Sequence, residues 1–175
     1  MKVLAFAASS SRKSINKHLV TYAAGLLGNA QTEVLDLNDY ELPLFSEDKE
    51  AELGQPPLAE AFLSKIGSAD AVIISFAEHN GSYTAAYKNL FDWASRIDAK
   101  VFQNKPMVLL ATSPGPGGAA SVLAAATKSA PFFNGDVKAS LSIPSFYENF
   151  DLESGIVKNV DISAQLNSAV QSLVR

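Results

Sequence analysis

Short, nearly continuous apolar runs recur along the chain at 2–7, 70–76 and 106–112. Runs of this length predict β-strands that are covered on both faces, as in a parallel sheet. Two further strands are predicted, one at 32–37, where apolar and polar residues alternate, and one within 134–141. The pattern therefore predicts five strands.

The segments between these strands place apolar residues three or four positions apart, which is the spacing of one helix face. In the first segment Ile15, Leu19, Ala23 and Leu26 follow this spacing, and Gly28 is expected to end the helix. The predicted helices are 15–28, 57–67, 82–97, 118–129 and 160–174.

Strands and helices thus alternate, which predicts an α/β fold with a parallel sheet. The 175 residues favour one domain over 1–175, a flavodoxin-like three-layer sandwich whose five parallel strands have the order 2-1-3-4-5. The stretch 38–57, rich in acidic residues and proline, is predicted to be an irregular loop of functional size. Ligands bind such sheets beyond the carboxyl ends of the strands. We therefore expect the loops after strands one, three and four to lie side by side.

Composition narrows the class of protein. Apolar residues make up 47% of the chain and charged residues 18%, as in a globular domain. No run approaches the roughly 18 apolar residues of a membrane span. Cysteine is absent, which excludes disulfides and thiolate chemistry and fits the cytoplasm, where we expect the protein to act. The net charge of -4, without a long basic run, argues against a nucleic-acid partner.

The loop after strand one, SSSRKSIN at 9–16, is unusually rich in hydrogen-bond donors. It leads into a predicted helix, and the free N–H groups and dipole of a helix N-terminus attract anions. The serine hydroxyls, the Asn16 amide and Arg12 would add to this attraction. A phosphate monoester fits the loop, and a serine cap followed by a solvated turn is the alternative.

The other two loops have residues that would let a ligand approach the backbone closely. In 77–82, AEHNGS, the Asn80-Gly81 pair suits a hairpin, but the helical pattern that follows favours a strand-to-helix turn capped by Ser82. The stretch 112–121 holds three glycines and two prolines, which leave backbone N–H groups open to a flat ring. Each loop alone could be an ordinary turn. Three such loops at the ends of neighbouring strands indicate a ligand-binding site.

Several common sites are absent from the sequence. No G-x-G-x-x-G follows strand one, and neither G-x-x-x-x-G-K-[ST] nor G-x-S-x-G occurs. A dinucleotide-binding Rossmann site, an ATPase phosphate loop and a Ser-His-Asp hydrolase are therefore disfavoured. His18 and His79 lack the spacing of metal ligands, so no metal is expected, and no side chain is singled out as catalytic.

Together these loops resemble the NADPH-dependent FMN reductase family, which includes quinone, azo-dye and chromate reductases. The likeness covers roughly residues 1–145 and is most specific in the middle segment, where the family pattern is close to P-E-Y-N-G-S-x-x-x-x-x-K-N-x-x-D-W. Here Lys88, Asn89, Asp92 and Trp93 match it.

The sequence also departs from the family at four positions. Ala77 stands in place of proline and His79 in place of tyrosine, while Ala8 and Ala119 stand where glycines are usual. No phosphate ligand is lost, but His79 changes the group beside the flavin ring and with it the expected substrate preference.

The resemblance implies FMN held without a covalent bond by residues of all three loops. The implied contacts are Ser9, Ser11, Arg12, Ser14, Ile15 and Asn16 at the phosphate, Glu78, His79, Asn80 and Gly81 at the ring and ribityl chain, and Ser113, Gly115 and Gly117 at the other ring edge.

The implied function is reduction of a small acceptor (free flavin, a quinone, an azo compound or an oxyanion) by NADPH or NADH. Hydride would pass to flavin N5, with the protein supplying binding and orientation. The resemblance also implies a homodimer or homotetramer. The alternative is a flavodoxin-like electron-transfer module without nicotinamide activity. The lack of aromatic residues around the ring, where only His79 and glycines are expected, favours the reductase.

Overall fold

The computed structural model describes residues 1–174 and confirms the predicted sheet. Five parallel strands, ordered β2-β1-β3-β4-β5, form its centre. The strands are β1 Lys2–Ala8, β2 Gln31–Leu35, β3 Ala71–Phe76, β4 Pro106–Thr112 and β5 Asp136–Ile143. The helices are α1 Ile15–Gly25, α2 Glu47–Leu53, α3 Pro57–Ser68, α4 Ala85–Ile97, α5 Ala120–Ser129, α6 Phe146–Asn149 and α7 Val160–Gln171. A short antiparallel hairpin, β6 Phe150–Asp151 and β7 Ile156–Val157, precedes α7.

The sheet is the middle of three layers. Side chains of α3, α4 and α5 pack on one face, around residues such as Phe6, Ile74 and Leu109. Helices α1 and α7 pack on the other, around Val3 and Ile73. All six residues of β3 are buried, which explains its continuous apolar run. Strands β2 and β5 lie at the sheet edges. In β2 only Leu35 is buried, whereas β5 alternates between exposed and half-buried residues over most of its length.

Several predicted boundaries differ from the structure by one to three residues: β5 extends to Ile143, α5 begins at Ala120 and α7 ends at Gln171. Helix α1 ends at Gly25 rather than Gly28, because Leu26 and Leu27 turn back to donate to Ala23 and Ala24. Strand β2 ends at Leu35 because Asp36 caps a 3-10 helix at Leu37–Tyr40.

The start of α4 also differs. The helix begins at Ala85 because Thr84, and not Ser82, is its N-cap and accepts a hydrogen bond from the Tyr87 N–H.

The stretch 38–57 is more ordered than the sequence predicts. It contains α2, which buries no residue and so leaves no apolar periodicity to detect. Asn89 fastens the preceding segment to α4, accepting from Phe45 N–H at 2.8 Å and donating to the carbonyl of Pro43 at 3.1 Å. Trp93 Nε1 donates to the same Pro43 carbonyl at 2.7 Å. Two residues of the most specific motif therefore hold this segment in place.

Within residues 1–174, no helix has both the length and the apolar character needed to cross a membrane.

Candidate functional site

Strands β1, β3 and β4 end at one edge of the sheet. Ala8, at the end of β1, pairs with Phe76, which pairs in turn with Ala111 of β4. The loops that follow therefore start side by side, as expected. Thr84 links the loop after β3 to the end of β1, because its hydroxyl donates to the Ala8 carbonyl at 2.9 Å.

Asn16 fixes the start of α1 beneath these loops. Its side chain is buried, and Oδ1 accepts from the Ser75 hydroxyl at 2.7 Å and from Thr112 N–H at 3.1 Å. Nδ2 donates to the Thr112 carbonyl at 3.2 Å. The Asn16 side-chain amide, which was expected to face a phosphate, is therefore hydrogen-bonded to residues of β3 and β4. Only the backbone N–H of Asn16 is left for a ligand.

The first loop and first turn of α1 form a cradle of free donors. The backbone N–H groups of Arg12, Lys13, Ile15 and Asn16 donate to no group within residues 1–174. Such a cluster at a helix N-terminus favours an anion. Arg12 and Lys13 are exposed there and form no ion pair with any described residue.

Two buried serine hydroxyls complete this cradle. Ser9 Oγ accepts from Ser11 N–H at 3.1 Å, and Ser14 Oγ caps α1 by accepting from Lys17 N–H at 3.3 Å. Both serines are only 7% exposed. Neither hydroxyl donates to another group in the described part of the chain, so both hydrogens are available to a ligand oxygen.

The loop after β3 leads to α4 as expected, but it contains a two-residue hairpin turn, which the sequence did not favour. His79 and Ser82 exchange both backbone hydrogen bonds, at 3.0 and 3.1 Å. Asn80 and Gly81 at the tip have φ of 53° and 77°, the signature of a type I′ turn. All four residues are exposed, and the N–H groups of Asn80 and Gly81 have no acceptor within residues 1–174.

Glu78 joins this loop to α5. Its Oε2 accepts from the Val122 N–H at 2.7 Å, in the first turn of the helix. Ala119, at the N-cap, has no side chain that could cap, so Glu78 supplies that contact from a distance. The Glu78 side chain, expected at the flavin, is thereby directed to the helix.

The loop after β4 is open on one side and tightly packed on the other. A Cβ added at Gly115 or Gly117 would meet no atom within 4 Å, whereas one at Gly118 would lie 2.4 Å from Ser142 Oγ. The Ser113 and Gly115 carbonyls accept from Phe146 and Ser145 N–H groups at 3.0 and 2.9 Å, which hold the loop on the chain after β5. Gly115 and Gly117 therefore border open space.

Three residues that position the site were not predicted from the sequence. Ser75, Thr84 and Thr112 are each at most 2% exposed, and the hydroxyl of each donates a hydrogen bond to a different element. Ser75 carries a recognisable signal, since it is the one hydroxyl in the otherwise apolar run 71–76. No group of three or more metal-binding side chains occurs in the described residues.

An ion pair stands beside the cradle. Lys17 Nζ contacts Asp36 Oδ2 at 2.6 Å and links α1 to the end of β2. This hydrogen bond, followed by one from the Asn38 N–H, lowers the pKa of Asp36 from 3.8 to about 2.

The sequence matches known proteins over the region that builds these loops. The profile described as NADPH-dependent FMN reductase matches residues 1–143, which include β1 to β5 and all three loops. The chain belongs to this family. Residues 144–174, which contain α6, the β6–β7 hairpin and α7, lie beyond the match to the FMN reductase family.

Individual relatives agree with the family assignment. The chain is 36% identical over 121 residues to an NAD(P)H-dependent FMN reductase of Pseudomonas aeruginosa, covering 69% of this chain and 64% of that protein. It is 34% identical over 125 residues to an NADPH:quinone oxidoreductase of Arabidopsis thaliana, covering 69% of this chain and 62% of that protein. The matched region thus spans slightly less than two thirds of these relatives.

Solved structures show the same fold. The flavoenzyme FerB, an NAD(P)H:(acceptor) oxidoreductase from Paracoccus denitrificans, superposes with a TM-score of 0.78 at 25% identity, over 99% of this chain and 94% of FerB. An NADH:FMN oxidoreductase in its apo form gives a TM-score of 0.69 at 19% identity, over 98% of this chain and 87% of that protein. At this level of identity the similarity is one of fold.

Proposed function

We propose that this chain is an NAD(P)H-dependent FMN-containing reductase of small acceptors. The observation that carries the proposal is the cradle at the start of α1, where four free N–H groups and two buried hydroxyls face the same edge as the open glycines of the third loop. A phosphate on a flat ring system matches this combination of anion donors and open backbone. Residues 1–175 would form a single flavodoxin-like FMN-binding domain.

The phosphate would lie against the first loop. The hydroxyls of Ser9 and Ser14 would donate to its oxygens, with the N–H groups of Arg12, Ile15 and Asn16. Hydrogen bonds to a charged oxygen contribute about 1.5–3 kcal/mol each. Ser11 and the Arg12 side chain are exposed at the rim, where they would add a hydroxyl and a positive charge.

The ring and ribityl chain would lie between the second and third loops. The free N–H groups of Asn80 and Gly81 would face the ring from one side, with His79 beside them. Gly115 and Gly117 would contact its other edge, with Ser113 nearby. FMN, when bound, supplies the redox chemistry by taking hydride from a reduced nicotinamide and delivering electrons to an acceptor. Backbone N–H groups beside a ring that gains negative charge would stabilise that charge.

The acceptor would be a small molecule, as the names of the relatives suggest. They include the FMN reductase of Pseudomonas aeruginosa and a 2-hydroxy-1,4-benzoquinone reductase of Burkholderia sp. The exposed turn at His79–Ser82 would leave one face of the ring accessible to a nicotinamide and then to a quinone or flavin. We further propose that the protein acts as a homodimer or homotetramer in the cytoplasm, where reduced nicotinamides are available.

The test is a spectrum of the purified protein with and without added FMN, followed by anaerobic addition of NADPH and, separately, NADH. We expect stoichiometric FMN uptake and loss of the oxidised-flavin absorbance with at least one nicotinamide. FMN that is reduced by light but by neither nicotinamide would instead indicate an electron-transfer module. A protein that takes up no FMN would contradict the proposal altogether.

A further inference from the structure

A separate cavity lies between α4 and α5, with a volume of about 240 Å³. Phe76 and Leu109, from β3 and β4, form its floor, and Phe102 and Phe133 line it from outside the two helices. No residue proposed to hold FMN lines it. It is therefore a site that the reductase mechanism does not use.

The walls of this cavity are aromatic. The Tyr83 and Tyr87 rings lie 5.5 Å apart, and Phe91 meets Phe133 edge-on at 4.7 Å. Such walls favour a flat apolar ligand, which can stack or pack edge-to-face on them. An apolar cavity of about 150 Å³ already accommodates benzene, so this one has room for a substituted ring.

One polar group inside the cavity lacks a partner. Tyr87 lines it and is 4% exposed, yet its hydroxyl makes no hydrogen bond to any group in residues 1–174. The Tyr83 hydroxyl, in contrast, pairs with Ser129 Oγ at 3.2 Å. Burial also raises the pKa of Tyr87, so this hydroxyl is protonated and can donate.

The Tyr87 oxygen is open to the cavity rather than sealed by protein. Among the described residues, only Gln55 Oε1 and Thr127 Oγ1 are fully enclosed without a hydrogen-bond partner. Because no protein group in the described residues accepts from it, this hydroxyl is free to donate to the oxygen of a ligand in the cavity.

The charged residues at the cavity rim favour an uncharged ligand. Lys88 and Asp92 both line the cavity, and they neutralise each other in an ion pair of 2.7 Å. Neither charge is left to attract a carboxylate or an amine.

We propose that this cavity binds a small uncharged aromatic carbonyl compound, with its ring between the α4 and α5 aromatics and its oxygen accepting a hydrogen bond from Tyr87. The ring would pack against Phe76, Phe91 and Phe133. This binding would be independent of FMN, because the two sites share no residue.

The test uses acetophenone as the probe and ethylbenzene as its match without the oxygen. Each is titrated into protein with labelled alanine and leucine methyl groups and followed by NMR. We expect shifts centred on Ala126, Ala130 and Leu109, which line the cavity. The ratio of acetophenone affinity to ethylbenzene affinity should be about three- to tenfold higher in the parent than in Tyr87→Phe, the effect of one hydrogen bond. FMN content should not change.

Two variants distinguish the contribution of the cavity's shape to probe binding from that of the Tyr87 hydrogen bond. Tyr87→Phe removes only the unpaired oxygen, so it should fold as the parent does and keep its affinity for ethylbenzene. It should bind acetophenone more weakly than the parent does, because the ketone oxygen would then be buried without a donor. Ala126→Leu fills the cavity from α5 and should weaken both probes at least tenfold, whereas Ala124→Leu, on the exposed face of the same helix, should weaken neither.

Several results would overturn the proposal. These are a ratio of acetophenone affinity to ethylbenzene affinity that Tyr87→Phe leaves unchanged, shifts that map elsewhere, or full binding of both probes by Ala126→Leu. If the parent binds no ketone and Ala126→Leu changes the oligomeric mass, the cavity is an interface between copies and the proposal is wrong.

Discussion

Gly118 shows, at the scale of the residue, how backbone conformation shapes the proposed flavin site. Its φ is +59°, in the left-handed region that residues with a Cβ rarely adopt, and an added Cβ would lie 2.4 Å from Ser142 Oγ and 3.0 Å from the carbonyl carbon of Ile143. The neighbouring Ala119, at φ 57°, shows that this loop already holds one non-glycine residue in the same region. The third loop therefore has little room for a further substitution at position 118.

We predict that Gly118→Ala lowers the free energy of unfolding by about 2–4 kcal/mol, from the left-handed strain and the clash together. The matched control is Gly117→Ala, because Gly117 has neither a positive φ nor an atom within 4 Å of the added methyl. That variant should change stability by less than about 0.5 kcal/mol. Urea unfolding of both variants would check this, and equal stabilities would contradict the structure of the loop.

The Lys17–Asp36 pair gives a pH-dependent contribution. Because the folded pKa of Asp36 is about 2 and its usual value is 3.8, the pair stabilises the protein above about pH 4. This contribution is lost as the pH falls towards 2. Both side chains are about a third exposed, so solvent screening reduces it to about 1 kcal/mol.

We therefore expect Asp36→Asn to be about 1 kcal/mol less stable than the parent at pH 7, since asparagine keeps the cap but loses the charge. The difference should disappear when the unfolding experiments are repeated between pH 4 and pH 2. A difference that stayed constant over that range would mean that the charge is not its cause.

At the scale of elements, Asn16 joins α1 to β3 and β4. Ser75 Oγ and the Thr112 N–H and carbonyl all depend on its buried amide. A buried hydrogen-bonding group left without its partner costs about 1–3 kcal/mol. The position of the helix N-terminus, and with it the proposed phosphate cradle, therefore rests on this one side chain.

Replacement of Asn16 by alanine should lower the free energy of unfolding by about 3 kcal/mol or more, because three groups lose a partner. A double-mutant cycle with Ser75→Ala should give a coupling energy of about 0.5–3 kcal/mol, which isolates the Ser75–Asn16 hydrogen bond. Asn167→Ala, on the exposed face of α7, is the control and should change stability by less than about 0.5 kcal/mol. Additive effects of Asn16→Ala and Ser75→Ala would exclude the predicted bridge.

Two elements that the sequence did not predict, α2 and the β6–β7 hairpin, were missed for the same physical reason. Helix α2 buries no side chain, so its stability comes from the Ser46 cap and from contacts such as the 2.9 Å Arg96–Glu50 ion pair. The β6–β7 hairpin pairs only two residues on each strand, too few to show alternation. Neither element carries the apolar periodicity from which helices and strands are predicted.

At the scale of the whole molecule, the sheet could be predicted because β1, β3 and β4 are buried on both faces and read as apolar runs. The convergence of the three loops followed from the strand order alone. The roles of Asn16 and Glu78 could not be predicted, since their partners Thr112 and Val122 lie 96 and 44 positions away. The family match agrees with the loops but does not show these contacts.

The central claim is that the cradle at the start of α1 binds the phosphate of FMN. The most direct test is the FMN dissociation constant of Ser14→Asp, measured beside the parent and Ser46→Asp. Ser14 and Ser46 are both helix N-caps whose hydroxyls accept from the third helical N–H, and aspartate caps equally well, so folding should be kept in both variants.

We predict that Ser14→Asp weakens FMN binding by about 100-fold or more, because its carboxylate would repel the phosphate and remove a donor. Ser46→Asp should bind FMN as the parent does. Equal FMN affinity in the parent and Ser14→Asp, with both folded, would contradict the account.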